Sequence, residues 1–240
     1  RSPARASPSR TRATRSLAVE EQHHVVEGEA RAGDRVARVR VCPRGLLLEE
    51  RDLRLSRLAT GIPVGGALAY TDEAIYVAFT CYDDAPGEIV VSDARRDGDL
   101  GETDSVRFVF DTYQDTQNGF VFGTNPASIE YDGQVTKEGA GGMFGSGGGA
   151  FNLNWDSAWL VQATITDDGW SAEFEIPFST LRYGKGEVQD WGINFQRNIR
   201  RNHEIAYWAP LERNRNLFRV SRAGTLQGVV PPARRSLQVT

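Results

Sequence analysis

The chain has 240 residues, 25% of them charged, and a formal net charge of −4 at neutral pH. Residues 61–240 carry 15 basic against 24 acidic side chains, and such a surface argues against a nucleic-acid partner because phosphates would be repelled. No stretch approaches the ~20 consecutive apolar residues of a membrane-spanning helix. The two cysteines, Cys42 and Cys81, allow one disulfide at most and match neither a disulfide-rich scaffold nor a zinc site.

The first part of the chain differs sharply in composition from the rest. Residues 1–69 contain no aromatic side chain, and residues 1–60 carry 13 Arg against 8 acidic residues. All five Trp, seven Tyr and eleven Phe lie between Tyr70 and Phe218. Because aromatic side chains dominate core energetics, we predict a folded domain over residues 68–230. Residues 1–67 are expected to be poorly ordered or to result from translation in a wrong reading frame, and both alternatives stay open.

From Tyr70 onward, apolar residues recur with a period of two, which is typical of half-buried strands. The predicted strands cover residues 75–80, 88–92, 105–110, 119–124, 128–131, 159–166, 170–178, 191–200, 204–209 and 225–229. Turn sequences such as Asp132-Gly133 separate nearly all of them. About ten short strands at this spacing predict an all-β fold, a single antiparallel β-sandwich of jelly-roll-like type.

One long irregular segment, residues 137–154, interrupts the strand pattern. It contains seven glycines between Gly139 and Gly149, so flexibility is its expected property. Loops of this length in compact domains are usually functional or disordered. The segment is therefore expected to be either a ligand lid or a plain insertion.

Several phrases of the sequence resemble one known family. They cover residues 70–83, 95–100, 104–112, 170–182 and 191–200, and include Asp-Ser-Val-Arg-Phe-Val-Phe-Asp-Thr and Trp-Gly-Ile-Asn-Phe-Gln-Arg-Asn-Ile-Arg. These phrases resemble the family 9 carbohydrate-binding-like domain, in the version found at the N-terminus of bacterial outer-membrane-barrel proteins of unknown function. The opening Ile-Asp-Gly-like strand of that family is not recognisable in residues 20–69.

The resemblance implies a non-catalytic carbohydrate-binding module within a larger cell-envelope protein that takes part in polysaccharide binding or breakdown. It also implies an extracytoplasmic location, in the periplasm or at the outer membrane. Residues 231–240 are then expected to be a linker toward a C-terminal barrel that this sequence lacks, with membrane contact only through that barrel. The expected partner is an oligo- or polysaccharide.

Sugar binding requires flat apolar faces for stacking and planar polar groups for hydroxyls, which Trp and Arg provide. Trp170 and Trp191 are in phase with buried strand positions and are expected in the core. The candidates for carbohydrate contact are Trp155, Trp159, Trp208, Arg95, Arg96 and Arg197. The alternative is core packing for the tryptophans and salt bridging at strand ends for the arginines.

An acidic cluster near residue 100 is a candidate metal site. Carboxylate oxygens are the ligands that calcium prefers, although the spacing is not that of an EF-hand loop. The candidate ligands are Asp97, Asp99, Glu102 and Asp104. The alternative is ordinary capping of turns.

Three alternative functions are catalysis, haem binding and a purely structural role. Glu173 and Glu175 could form a catalytic carboxylate pair, but strand alternation already accounts for two exposed acids, and no nucleophile–His motif is present, so the chain is expected not to be an enzyme. Haem binding would need an axial ligand, for which Met143 is the sole methionine. The remaining alternative is a structural or interaction domain of a barrel protein that binds no small molecule.

Overall fold

The structure is a computed structural model that describes residues 28–32, 35–41, 64–92, 94–140 and 151–233. Thirteen strands are present in these residues, and the other regular segments are single turns of 3₁₀ helix. The strands are β1 (Gly28–Ala32), β2 (Arg35–Val41), β3 (Val64–Tyr70), β4 (Ala74–Tyr82), β5 (Ser105–Asp111), β6 (Gly119–Thr124), β7 (Tyr131–Val135), β8 (Phe151–Asn152), β9 (Leu160–Thr166), β10 (Gly169–Pro177), β11 (Gln189–Ile199), β12 (Glu204–Tyr207) and β13 (Gly224–Val229). Among the described residues, no helix has the length and apolar character needed to cross a membrane.

The strands are hydrogen-bonded in the order β8-β7-β6-β5-β11-β13-β1-β2-β3-β4-β10-β9, with β12 pairing to β11. Every pairing is antiparallel except that of β2 with β3. The sheet folds over on itself, since Phe79 of β4 packs against Phe108 of β5 and Phe195 of β11 with ring centroids 5.9 and 5.4 Å apart. One layer is therefore β8-β7-β6-β5-β11-β13 and the other is β3-β4-β10-β9. The predicted all-β sandwich is confirmed.

The space between the layers is filled by aromatic side chains, as the period-two pattern predicts. On β10, Trp170 and Phe174 are buried, whereas Glu173 and Glu175 point to solvent on the opposite face. Trp191 of β11 is fully buried, so both tryptophans assigned to the core lie there. Removing one such aromatic side chain costs about 3–5 kcal/mol, because the cavity left behind refills only partly.

A second apolar cluster covers the outer face of the β5-β6-β7 layer, and we call it the outer cluster. Every residue of β6 is buried, so this strand is covered on both faces. The members of the outer cluster are Leu100, Val109, Val121, Ile129, Tyr131, Val135, Leu217, Phe218 and Val220. Residues 217–220 belong to the connection between β12 and β13, so a loop supplies much of this cover.

Two predicted strands are wrong or misplaced, each for a local reason. Residues 88–92 pair with no strand: the carbonyl of Val90 accepts bonds from the Thr103 hydroxyl and the Asp104 amide, both at 2.8 Å, and its amide donates to the Asp104 carboxylate at 2.8 Å. The predicted strand over residues 128–131 is misplaced, because the strand starts only at Tyr131 and runs through Gly133. A Cβ at Gly133 would lie 2.5 Å from the Phe151 ring, so this glycine permits close packing within a strand rather than a turn.

Several predictions concern residues that lie in or near parts of the chain that the structure does not describe. Strands β1 and β2 lie inside residues 1–67, where a poorly ordered or non-native segment was expected, and β3 begins four residues before the predicted domain start. The remainder of residues 1–63 lies outside the described residues, as do Cys42, residues 141–150 with Met143, and residues 234–240. Cys81 is a buried free thiol, and burial raises its pKa to about 12.

Candidate functional site

The three tryptophans predicted to stack on sugar are packed against other side chains. Trp159 is 4% exposed and lies parallel to Phe174 at 5.7 Å, and Trp208 is 2% exposed and meets Phe195 edge-on at 5.8 Å. Trp155 is half-buried against Phe120 at 5.0 Å. The expectation of an open stacking face is corrected for Trp159 and Trp208, because surrounding core side chains cover both indole rings.

Arg96 lies at the centre of a carboxylate network rather than in an open site. Its guanidinium is 2.6 Å from Asp132 and 2.5 Å from Asp156. Its four acidic partners are Asp97, Glu130, Asp132 and Asp156. Burial lowers the pKa of Arg96, but these charges raise it more, and the net shift is upward. Arg96 thus connects three loops, while Arg95 beside it is exposed.

Arg197 is an interior residue. It is 1% exposed, donates to the carbonyl of Tyr82 at 2.8 Å, and lies 3.7 Å from the carboxylate of Asp83. Arg201 binds the other oxygen of the same carboxylate at 2.5 Å. The expectation that Arg197 contacts a ligand is corrected, because its guanidinium is enclosed by the ends of β4 and β11.

The four acidic residues of the predicted calcium site have separate partners. Asp99 accepts the amide of Gly101 at 2.8 Å, and Glu102 binds Arg200 at 2.7 Å. Asp104 accepts the Val90 amide, and burial raises the pKa of Asp104. Asp97 belongs to the network of Arg96. In the part of the chain that the structure describes, no group of three or more His, Cys, Asp or Glu side chains is arranged to hold a metal ion.

A polar cavity that the sequence reasoning missed lies at the rim of the outer cluster. It has a volume of about 300 Å³ and adjoins a second cavity of about 240 Å³ that shares Glu138, Arg215 and Arg219 with it. We call the two together the arginine pocket. Its lining residues are Glu138, Gly139, Ala140, Glu212, Asn214, Arg215, Asn216, Arg219, Ser221 and Arg222.

A left-handed turn forms one wall of the arginine pocket. Lys137, Glu138 and Gly139 have φ values of 49, 54 and 73°, a conformation that costs non-glycine residues about 1–3 kcal/mol each. The amide of Glu138 donates to the carbonyl of Gln117 at 2.8 Å, which anchors the turn. A Cβ at Gly139 would lie 3.0 Å from the Cβ of Phe218, so the turn packs directly on the outer cluster.

Charges in the pocket are only partly paired. Glu138 accepts bonds from Arg219 at 2.9 Å and from the Ser221 hydroxyl at 2.7 Å, and Glu212 binds Arg222 at 2.6 Å. Arg215 forms no ion pair with another described residue. Three guanidinium groups thus face two carboxylates, which leaves one excess positive charge in the pocket.

The field in the pocket also acts on Glu212. Its pKa is lowered, first by a hydrogen bond from its own backbone amide and then by the positive charges of Arg222 and Arg215. The side chain of Glu212 is exposed to solvent, so water screens this effect. Arg215 is thus one of two positive charges that act on Glu212 across the pocket.

The arginine pocket had a sequence signal, although a weak one. Four arginines, Arg213, Arg215, Arg219 and Arg222, fall within ten residues, and the first two alternate with asparagines. Arginine runs are usually solvated, so the run alone does not indicate a site. The opposite wall comes from residues 137–140, more than 70 positions earlier, and only the fold brings the two together.

Neither a family model nor a curated protein matches the sequence. Solved structures do match. A proposed carbohydrate-binding protein from Bacteroides uniformis is 15% identical, with a TM-score of 0.51 and coverage of 73% of this chain and 83% of that chain. The chain shares the fold of that protein, a β-sandwich.

A family 9 carbohydrate-binding module from Caldicellulosiruptor kristjanssonii also matches, in complexes with cellotriose and with glucose. Both are 16% identical with a TM-score of 0.43, and the match covers 78% of this chain and 84% or 85% of those chains.

Proposed function

We propose that the domain is a non-catalytic carbohydrate-binding module and that the arginine pocket is its binding site. The observation that carries this proposal is the convergence of planar guanidinium groups, carboxylates, amides and a hydroxyl around one surface cavity. Binding sites are typically concave with a few converging polar groups. The fold shared with a proposed carbohydrate-binding protein and the family 9 phrases in the sequence support the same function.

The groups in the pocket suit a ligand that is rich in hydroxyls. A sugar hydroxyl both donates and accepts, so it can bridge a carboxylate such as Glu138 and a guanidinium such as Arg219, which here lie 2.9 Å apart. Phe218, which adjoins Gly139 of the pocket wall, stacks on Phe151 at 4.3 Å, so this wall packs on aromatic side chains. Because these ion pairs are partly exposed, exchanging them for ligand contacts costs little stability.

A catalytic function receives no support from the described carboxylates. Glu173 and Glu175 are exposed on β10, between β4 and β9, where strand alternation places them. We expect any hydrolase activity to reside in another part of a longer protein.

The wider setting is also part of the proposal. The family 9 phrases support a module of a larger extracytoplasmic protein of the cell envelope, involved in polysaccharide binding or breakdown. Cell fractionation with an antibody against this domain tests this. Signal confined to the cytoplasmic fraction contradicts the location and leaves the binding site to be tested separately.

Binding can be measured by calorimetry against a panel of neutral and acidic mono- and oligosaccharides. We expect heat with at least one glycan and a loss of about 10-fold or more in affinity for Arg219→Ala, since hydrogen bonds to charged groups contribute about 1.5–3 kcal/mol. Arg182→Ala is the matched control, because Arg182 is exposed and does not line the pocket. No heat with any glycan contradicts the proposal and favours an interaction domain.

A further inference from the structure

The charges of the arginine pocket distinguish one arginine from the other two. Arg219 and Arg222 each bind a glutamate, at 2.9 and 2.6 Å. Arg215 lines both cavities, is exposed, and makes no ion pair within the described part of the chain. Its guanidinium therefore can bind an anionic group without first breaking an ion pair with a described residue.

The shape of the guanidinium favours a carboxylate as that anionic group. Arginine presents parallel N–H donors in a planar fork that matches the two oxygens of a carboxylate or phosphate. A phosphate carries up to two charges and offers few donors, whereas Glu138 and Glu212 in the same pocket repel anions and accept hydrogen bonds. With only one excess positive charge present, a monoanion whose remaining groups are hydroxyl donors fits better than a phosphate.

The dimensions of the pocket agree with a small sugar ligand. The cavity of about 300 Å³ lies at the lower end of the range for ligand sites, and the adjoining cavity of about 240 Å³ extends it. The chain as a whole carries a net charge of −4, so its overall field does not attract polyanions. Any preference for an acidic glycan must therefore come from local pairing in the pocket.

We infer that the arginine pocket recognises glycans that contain uronic acid, with Arg215 binding the sugar carboxylate and the glutamates accepting bonds from its hydroxyls. This inference rests on the proposed function and adds the class of sugar. It makes Arg215 the residue that determines specificity, while Arg219 holds the pocket together through Glu138.

The decisive comparison pairs each glycan that carries a carboxylate with an uncharged counterpart. Affinities of oligogalacturonides of two to four residues and of their methyl esters are measured by calorimetry, with glucuronate and glucose as a second pair. For the unmodified protein we expect the acid to bind about 10-fold or more tightly than its ester, as for a charge-assisted bond. In Arg215→Ala the ratio should fall to about one, with Arg215→Lys between and Arg182→Ala unchanged.

The outcomes separate the inference from the proposed function. Equal binding of acid and ester, abolished by Arg219→Ala, overturns the inference and leaves the proposed function intact. A preference for the acid that survives in Arg215→Ala also overturns the inference. Failure of every glycan to bind overturns both. Arg215 is exposed, so Arg215→Ala should fold, and circular dichroism and thermal melting of each variant verify this.

Discussion

Two arginine sites of this domain have similar side chains but opposite surroundings. Arg197 is 1% exposed and lies 3.7 Å from the buried carboxylate of Asp83, whereas Arg215 and Arg219 line an open cavity. Sequence reasoning chose Arg197 as a ligand contact and passed over the other two. The difference teaches that burial, rather than residue type, separates an arginine that stabilises a fold from one that can bind a ligand.

The energetics of the two sites differ in the same way. At the buried site, both charges have lost their hydration. Removing either one therefore leaves the other as an uncompensated buried charge, which destabilises the fold. At the pocket, solvent screens the ion pair of Arg222 with Glu212, whose side chains are 57% and 51% exposed. Stability should therefore respond to changes at the first site and binding to changes at the second.

The largest expected effect is that of Arg197→Ala. Removing this guanidinium deprives the buried Asp83 carboxylate of one of its two cationic neighbours. We therefore expect a loss of about 3–5 kcal/mol in the free energy of unfolding. Urea denaturation measures it. Arg197→Met keeps the apolar stem and shows how much of the loss is due to charge.

Arg215→Ala provides the matched comparison. We expect it to change the free energy of unfolding by about 0.5 kcal/mol or less, because Arg215 is exposed. Similar losses for Arg197→Ala and Arg215→Ala would contradict the distinction between the two sites.

A smaller effect is expected at the wall of the pocket. Gly139→Ala places a Cβ 3.0 Å from Phe218 at a φ of 73°, so we expect a loss of about 1–3 kcal/mol in stability and weaker glycan binding, because the same turn positions Glu138. Gly87→Ala is the control, since a Cβ there meets no atom within 4 Å. An unchanged denaturation midpoint for Gly139→Ala would show that the turn can relax.

The smallest effect sharpens the description of the buried site. Burial raises the pKa of Asp104, so its ionised form destabilises the fold at neutral pH, although Arg197 and Arg201 reduce that cost and Asp83 adds to it. The amide oxygen of Asp104→Asn can still accept the Val90 amide, so this variant should be the more stable one at pH 7.

The sign of the pH dependence follows from protonation. The advantage of Asp104→Asn is complete above the raised pKa and disappears as the pH falls below about 4, the ordinary value for Asp, because the wild-type carboxyl is then neutral in both states. Urea midpoints of both proteins between pH 7 and pH 3.5 measure the difference. An advantage that grows on acidification would show that ionised Asp104 stabilises the fold.

The interior of the sandwich was predictable because strand alternation and burial coincide there. Residues 119–124 were predicted as a strand and form β6, and the phase of Trp170 and Trp191 placed both in the core. The failures lie where side chains replace regular pairing. At Val90 a carboxylate and a hydroxyl satisfy the backbone, and at Gly133 the Phe151 ring of the neighbouring strand β8 requires a glycine.

The candidate site was far less predictable than the fold. Periodicity indicates which residues face inward, but it does not indicate that Trp159 and Trp208, near strand ends, are buried in the core. Nor does it show that the Glu138 turn and the run that contains Arg215 and Arg219 meet. Such loops are positioned by packing on the outer cluster, a contact that no local pattern records.

The side chain of Tyr70 joins the end of β3 to the end of β13. The hydroxyl of Tyr70 donates to the carbonyl of Gly228 at 3.4 Å and accepts the amide of Val230 at 3.3 Å. Strand β4 is paired on both sides only once β10 has joined it, and β5 only once β11 has joined it. Closure of the sandwich therefore requires strands that lie far apart in the sequence to come together. Folding that depends on such distant contacts is slow, so the apolar faces of strands such as β4 stay exposed until their partners pair.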